Sequence, residues 1–365
     1  MPNLHRRPRV RRLAERLARR ALHEVGSPLQ VALPPPPPPP PPEPPQPQAA
    51  DFLRALAPER PAVERGPATH ALFTRLSDAD VAEVERRVAQ EPELEAYYST
   101  AATPALREAL TLIYGVWLGV PAVIEKTGLG AAQPPEDVHA MARGPLAAAG
   151  GLYEADLVIE ALTHAGVDIA QVQSALDFGC SSGRVVRALH AVHPEIAWHG
   201  CDPNAPAIAW AKESLADIKL FVSGNHPPLP LPDASLDLVY AISIWSHFAP
   251  ALGLRWFEEM QRLLRPGGHL VLTTHGLAAV AYYAQHSLRT PQQSREIADA
   301  LYREGVWYAP EFGEQGDWGV VNPDWGTAFL TPEWLLAELT PVWSVLQFAP
   351  GRNQDNQDVY VLRRV

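Results

Sequence analysis

Cysteine is almost missing from this 365-residue chain: Cys180 and Cys201 are the only two, each inside a strand-like apolar segment and neither in a paired Cys/His ligand pattern. A disulfide scaffold and a structural zinc site are thereby excluded, and a reducing compartment fits. Lysine is nearly as scarce, with Lys126, Lys212 and Lys219 among 30 basic residues; with abundant Ala and Pro, this bias points to a GC-rich bacterial coding sequence. No histidine pair four residues apart flanks a helical glutamate and no carboxylate cluster stands out, so catalysis by a metal is not indicated.

The arginine-bearing N-terminus lacks the apolar run of about 7 to 15 residues that a secretory signal requires, and the expected location is cytoplasmic. The uncharged stretch from Ala109 to Ile124 falls short of the roughly 20 residues of a membrane span. It also contains Gly115, Gly119 and Pro121, and reads as a packed core helix. Net charge is −11, yet the first 33 residues carry eight arginines against Glu15 and Glu24, leaving −17 for the remainder. A body so acidic argues against a general nucleic-acid binder, whose affinity comes mainly from clustered Lys and Arg.

Proline is what the chain has in excess. Nine are consecutive, Pro34 to Pro42, followed by Pro44, Pro45 and Pro47. Such a run enters neither helix interior nor sheet and adopts polyproline II, a semi-rigid spacer of about 40 Å that an aromatic-lined groove of a protein partner could also grip. Ahead of it, Val10, Leu13, Ala14, Leu17, Ala21 and Val25 fall at helical spacing with arginines on the other face. This basic amphipathic arm is open to three readings: a solvated, disordered arm, a partner-binding helix or a membrane-surface helix. From Asp51 to about Gly151 the sequence is alanine-rich and helical in period, with Thr103 and Pro104 forming a cap and first turn for a helix carrying Leu106, Leu110, Ile113, Val116 and Trp117 on its buried face.

From Ser174 onward, short apolar runs alternate with amphipathic helices, the rhythm of an α/β, Rossmann-like doubly wound sheet. Strands are expected near 174–179, 197–202, 219–223, 236–243, 269–275, 344–349 and 358–363, with helices in the gaps between the first five. The last two runs are separated only by the turn-rich segment Pro350 to Gln357, too short for a parallel crossover, so they should form a C-terminal antiparallel hairpin. The expected organisation is a basic arm (1–33), a polyproline linker (34–50), a helical region (51–150) and an α/β domain (151–365). That domain carries an insertion at about 277–343 that holds five of the ten tryptophans.

Four segments carry chemistry. The first strand runs into Asp177-Phe178-Gly179-Cys180-Ser181-Ser182-Gly183-Arg184 just before a helix, where small residues let the backbone approach a ligand beside a helix N-terminus. The second ends in Asp202-Pro203-Asn204, a carboxylate able to accept both hydroxyls of a ribose or to cap the next helix. Pro230-Leu231-Pro232-Asp233-Ala234-Ser235-Leu236-Asp237-Leu238-Val239 leads into the fourth strand, and Leu263-Leu264-Arg265-Pro266-Gly267-Gly268-His269-Leu270 into the fifth.

Taken together, these segments resemble the class I S-adenosylmethionine-dependent methyltransferases, particularly the small-molecule branch, closely over about 174–276 and loosely over the C-terminal hairpin. The resemblance implies S-adenosyl-L-methionine as cofactor and a loop of Asp177, Gly179, Ser181 and Gly183 against its methionine part, with Ser181 standing where glycine is commoner. It implies ribose binding by Asp202, an adenine neighbour at Asn225 where the family usually has an acid, and a methyl-donor pocket lined from Ile242 to Trp245. Gly179 and Gly183 are separated by three residues and form no G-x-G-x-x-G fingerprint, which sets aside a nicotinamide-dependent oxidoreductase.

Methyl transfer from a sulfonium asks the protein for position, desolvation and, with a hydroxyl acceptor, a base. His247 and His275, at or just beyond the ends of the fourth and fifth strands, are the candidate catalytic residues, and His226 is a weaker one. The aromatic insertion should cover the cofactor mouth, either as an acceptor pocket for a flat or sugar-like molecule or as a local core. The closing run from Gly351 to Leu362 resembles the hairpin of methyltransferases associated with glycan and polysaccharide assembly. The expected function is methyl transfer to an oxygen of a small-molecule or saccharide acceptor. Its rival is a non-catalytic methyltransferase-like scaffold working through the arm and the proline spacer.

Overall fold

The computed structural model describes residues 66–312 and 320–365. The basic arm, the polyproline linker and the start of the helical region lie outside the described residues, as does Trp318.

The helical region holds α1 (Pro67–Phe73), α2 (Asp78–Val88), α3 (Pro92–Tyr98), α4 (Pro104–Trp117) and α5 (Pro121–Thr127), and α6 (Leu152–His164) follows it at the start of the next expected domain and packs with it. Helix α4 starts where its residues require: Thr103 Oγ1 accepts from the Leu106 N–H at 3.2 Å, and Pro104 fills the first turn. Leu110, Tyr114 and Val116 are buried, whereas Leu106 and Trp117, expected on the same buried face, are 38% and 42% exposed. Leu106 instead opens onto a groove it lines with Tyr97 and Leu146. Helices α4 and α5 meet at 112°, and no single helix among the described residues is long and apolar enough to cross a membrane.

The sheet comprises β1 (Ser174–Phe178), β2 (Ala197–Asp202), β3 (Lys219–Val222), β4 (Leu236–Ala241), β5 (Leu264–His275), β6 (Val306–Ala309), β7 (Thr327–Leu330), β8 (Trp343–Asn353) and β9 (Gln357–Arg364). β3, β2, β1, β4 and β5 lie side by side and parallel, the doubly wound arrangement the sequence predicts. β9 runs antiparallel along β5, from His269 opposite Arg363 to His275 opposite Gln357, and β8 pairs antiparallel with β9. Gln354 and Asp355 both take φ of +57° in the β8–β9 turn, the left-handed pair that matches hairpin twist.

Two features differ from the sequence expectation. No helix links β3 to β4: Pro227, Pro228, Pro230 and Pro232 deny it backbone donors. The segment is held instead by α9 (Pro250–Leu263), whose Arg262 donates to the Leu229 and Leu231 carbonyls at 3.1 and 2.8 Å while Glu259 accepts from the Leu229 N–H at 2.7 Å. The insertion also carries strands that the sequence reading omits. β6 and β7 form an antiparallel pair, and β7 lies parallel to the last residue of β5, with Phe329 opposite His275. Because β4 has ended by then, β7 takes the vacated side of β5, and the Ala328 N–H donates to the Ser246 carbonyl at 2.8 Å.

One face of the sheet is covered by α7 (Arg184–Val192), α8 (Ala205–Ser214) and the helical region: Leu72, Leu110, Leu157 and Leu189 share a continuous core with Trp198, Tyr240 and Val361. The other face packs Leu176, Val239 and Leu272 against Trp256, Phe257 and Met260 of α9. Asp237 aligns the first strand, its Oδ2 accepting from the N–H groups of Gln173 and Ser174 at 2.9 and 3.0 Å.

Candidate functional site

At the carboxyl ends of β1, β2 and β4 lies a cleft of about 280 Å³, lined on the strand side by Asp177, Gly179, Ser181, Asp202, Ile242 and His247. This is where an open parallel sheet places ligands, since the strand order reverses between β1 and β4. A smaller void of about 30 Å³ adjoins it, sharing Gly179, Asp202, Ile244 and Trp325 and adding Gly224 and Asn225.

The β1–α7 loop is built for close approach. Gly179 has φ +84°, and a Cβ there would fall 2.2 Å from Ile244 Cδ1, so only glycine leaves the passage open. Ser181 has φ +49°, the left-handed region that explains why glycine is commoner at this place, and its N–H donates to Asp202 Oδ2 at 2.8 Å. Gly183, also expected in the ligand loop, has φ +79° and faces away: a Cβ on it would meet Leu215 Cδ1 at 2.5 Å, so its service is to seat α7 against the end of α8.

Asp177 is buried beside the Tyr240 hydroxyl, and loss of hydration pushes its pKa up to about 7 against the relief that hydroxyl gives. Asp202 accepts from Ser181 N–H and from Asn204 N–H, both at 2.8 Å, and burial raises its pKa against the relief those donors give. A carboxylate has about four lone-pair sites, so two remain for a diol. Asn225 sits in the smaller void with its amide donating to the Val321 carbonyl at 2.9 Å, which leaves its oxygen as the acceptor on that side.

The two candidate bases part company. His247 lines the cleft, and its Nδ1 lies 3.0 Å from the Gly326 carbonyl, so Nδ1 carries the proton and Nε2 is the ring's acceptor atom. His275 is outside the cleft lining and 4% exposed. It lies between the Ala328 carbonyl and the Tyr283 hydroxyl, at 3.2 Å from each, and burial drives its pKa down to about 3. Enclosed in this way, His275 joins β5, β7 and α10 (Leu277–Gln285). His226 sits beyond the cleft lining, its ring beside Arg255 at 3.3 Å.

Several cleft residues carry no motif of their own. Glu154 of α6 holds Arg184 in a two-pronged pair at 2.7 and 2.8 Å, and both line the cleft with His139 and Met141. The opposite wall comes from the hairpin turn: Asn353, Gln354, Asn356 and Gln357. Gln357 is 4% exposed; its Nε2 donates to Ser243 Oγ at 2.6 Å and its Oε1 accepts from Thr273 Oγ1 at 2.6 Å. The sequence signal was the amide-rich run before β9, which reads as a turn until the fold brings it to the edge of β5. The insertion supplies Val320 and Trp325 to the cleft.

A family described as "Methyltransferase domain" matches residues 176–272, the span from β1 to β5 that builds this cleft. Over these residues the chain is a methyltransferase domain. Among curated relatives, an uncharacterized 37.1 kDa protein in a transposon of Streptomyces fradiae is 30% identical over 145 residues, 38% of this chain and 41% of that one. A sterol 24-C-methyltransferase of Gibberella zeae is 34% identical over 112 residues, 29% of this chain and 28% of its own. The chain thus spans less than half the length of these relatives. A solved Pyrococcus horikoshii protein covers 59% of this chain and 92% of its own at 16% identity, with a TM-score of 0.40.

S-adenosylmethionine fits the residues present. Asp177 offers a buried carboxylate suited to an ammonium group, Gly179 leaves a cradle that a Cβ would fill, and Asp202 has acceptor capacity beside the smaller void.

Proposed function

We propose that this methyltransferase domain acts on an oxygen of a small-molecule or saccharide acceptor, with His247 as the base. The observation that carries the reading is that one cleft holds both the cofactor-type residues Asp177, Gly179 and Asp202 and a histidine whose orientation is set by a backbone carbonyl. The bound cofactor supplies an electrophilic methyl group on a sulfonium. Asp177, Ser181 and Asp202 hold and orient it, and Asn225 accepts from the exocyclic amine of its base. Ile242 and Ile244 exclude water from the cleft. His247, with Nδ1 protonated, takes the acceptor's hydroxyl proton on Nε2 and holds the resulting charge through its bond to Gly326.

Calorimetric titration with S-adenosylhomocysteine, with NAD as a control ligand, tests the cofactor part. Micromolar binding that Asp202→Ala removes, together with acceptor-dependent formation of S-adenosylhomocysteine from S-adenosylmethionine, supports the enzyme. Absence of binding sinks it in favour of a scaffold acting through the arginine arm and proline spacer. Deleting residues 1–50 separates the two again, because the enzyme keeps its binding and turnover without them.

A further inference from the structure

The hairpin turn from Asn353 to Gln357 brings a wall of side-chain amides to the cleft, and nothing in the cofactor assignment uses it. We propose that this turn is the acceptor-recognition element and that it selects an uncharged, polyhydroxylated acceptor, a sugar or glycoside; the inference rests on the methyltransferase reading above.

The argument begins with rigidity. Gln354 and Asp355 are both left-handed, and the Gln354 N–H donates to the Tyr153 hydroxyl at 3.1 Å, so α6 holds the tip of the turn from outside. At its base, Arg352 pairs with the buried Glu160 of the same helix, and its Nε lies 3.1 Å from Glu160 Oε1. Inside, Asn353 Nδ2 donates to Gln357 Oε1 at 3.1 Å, and Gln357 bonds to Ser243 and Thr273. A turn fixed from both sides presents its remaining polar atoms at defined positions, which is what selection among hydroxyls requires.

Chemistry follows from what is spent and what is left. Gln357 and Asn353 are engaged with each other and with the strand ends. Asn356 Oδ1, by contrast, is buried without a hydrogen-bond partner, an acceptor whose burial is costly unless a ligand hydroxyl or amine meets it. Arg184, the one arginine among the described residues of the cleft lining, is neutralised by its two-pronged pair with Glu154. Among the described residues of the lining, an anionic acceptor therefore finds no uncommitted guanidinium. Amide groups both donate and accept, as sugar hydroxyls do.

The test uses the full chain with S-adenosylmethionine and a matched acceptor panel: neutral methyl glycosides of several hexoses, the corresponding uronic acids, and simple phenols, read by S-adenosylhomocysteine formation. The expected result is turnover with neutral glycosides above both other classes. Asn356→Ala should then lose about tenfold in kcat/KM, chiefly through KM, with unchanged affinity for S-adenosylhomocysteine. Asn356→Gln, which keeps the amide, should recover part of the loss. Preference for uronic acids or phenols, or no turnover with any glycoside while S-adenosylhomocysteine still binds, overturns the inference and leaves the cofactor reading standing. Loss of S-adenosylhomocysteine affinity in Asn356→Ala assigns the turn to the cofactor and likewise overturns it. Failure of the wild-type protein to bind S-adenosylhomocysteine removes the reading on which the inference rests, and the inference with it.

Discussion

The backbone N–H of Ser181 donates to the carboxylate of Asp202, 2.8 Å away and 21 residues on, so that the loop after β1 is shaped by the residue that ends β2. The same carboxylate takes the N–H of Asn204 on its other oxygen. Asp202 thus both orders the loop and faces the ligand. Asp202→Ala should cost at least tenfold in S-adenosylhomocysteine affinity, because it removes ligand acceptors and leaves two backbone donors to find water. Calorimetry on the variant, with circular dichroism to show that it folds, checks this; unchanged affinity would remove Asp202 from the site.

Two positions in that loop should respond to substitution in opposite directions. Ser181 sits at φ +49° with a buried hydroxyl that has no hydrogen-bond partner. Ser181→Gly removes a left-handed cost of about 1–2 kcal/mol and an orphaned donor, offset by about 0.4–1 kcal/mol of added unfolded-state entropy. The net expectation is a gain of about 1 kcal/mol in urea unfolding with cofactor affinity kept. Gly179→Ala places a Cβ 2.2 Å from Ile244 Cδ1 at φ +84°, and should lose both stability and binding.

The sheet and the cofactor loop were legible because they are written locally: strand-length apolar runs, glycines at a turn, an acid at a strand end. Asp177, Gly179, Ser181, Asp202 and Ile242 do line one cleft, while Gly183 and His275 do not, although Gly183 stands between the lining residues Ser182 and Arg184. What decides is the side of the backbone each one faces, and that is set by packing against Leu215 and Phe329, which no local pattern encodes. β6 and β7 were hidden for a related reason. Each is four residues long, and β7 finds its place only where β4 stops short of the end of β5. Glu154 and the hairpin amides come from segments well before and after the motif region, so their arrival at the cleft is a property of the tertiary fold.

Burial makes Asp177 a liability in the ligand-free protein. Its pKa rises from 3.8 to about 7 on folding, so the native state holds a proton that the unfolded chain releases at lower pH. The sign follows: its stabilising share is complete below pH 4, falls as pH rises from about 4 to about 7, and is gone above that. Three pKa units set an upper bound of about 4 kcal/mol on the effect. Asp177→Asn should therefore be more stable than wild type at pH 8 and show a smaller advantage at pH 4.5, in urea titrations run without ligand. The same variant should bind S-adenosylhomocysteine more weakly, since an amide replaces the charge that would meet an ammonium group. An advantage independent of pH would show that the carboxyl is ionised throughout.

His247 and His275, with ring centres 6.5 Å apart, test whether position or residue type makes a base. His247 faces the cleft with Nδ1 tied to Gly326, whereas His275 is enclosed by Phe329, Tyr283 and the Ala328 carbonyl. With an acceptor in hand, His247→Gln should lower kcat by about 100-fold or more while S-adenosylhomocysteine affinity stays within twofold, as expected of a proton acceptor that does not hold the cofactor. His275→Gln should leave the pH profile of kcat unchanged and act on stability, because an amide replaces a ring that joins β5, β7 and α10. Thermal unfolding and pH–rate profiles on both variants separate the roles. Should His275→Gln abolish turnover at unchanged Tm while His247→Gln keeps it, the assignment of the base reverses.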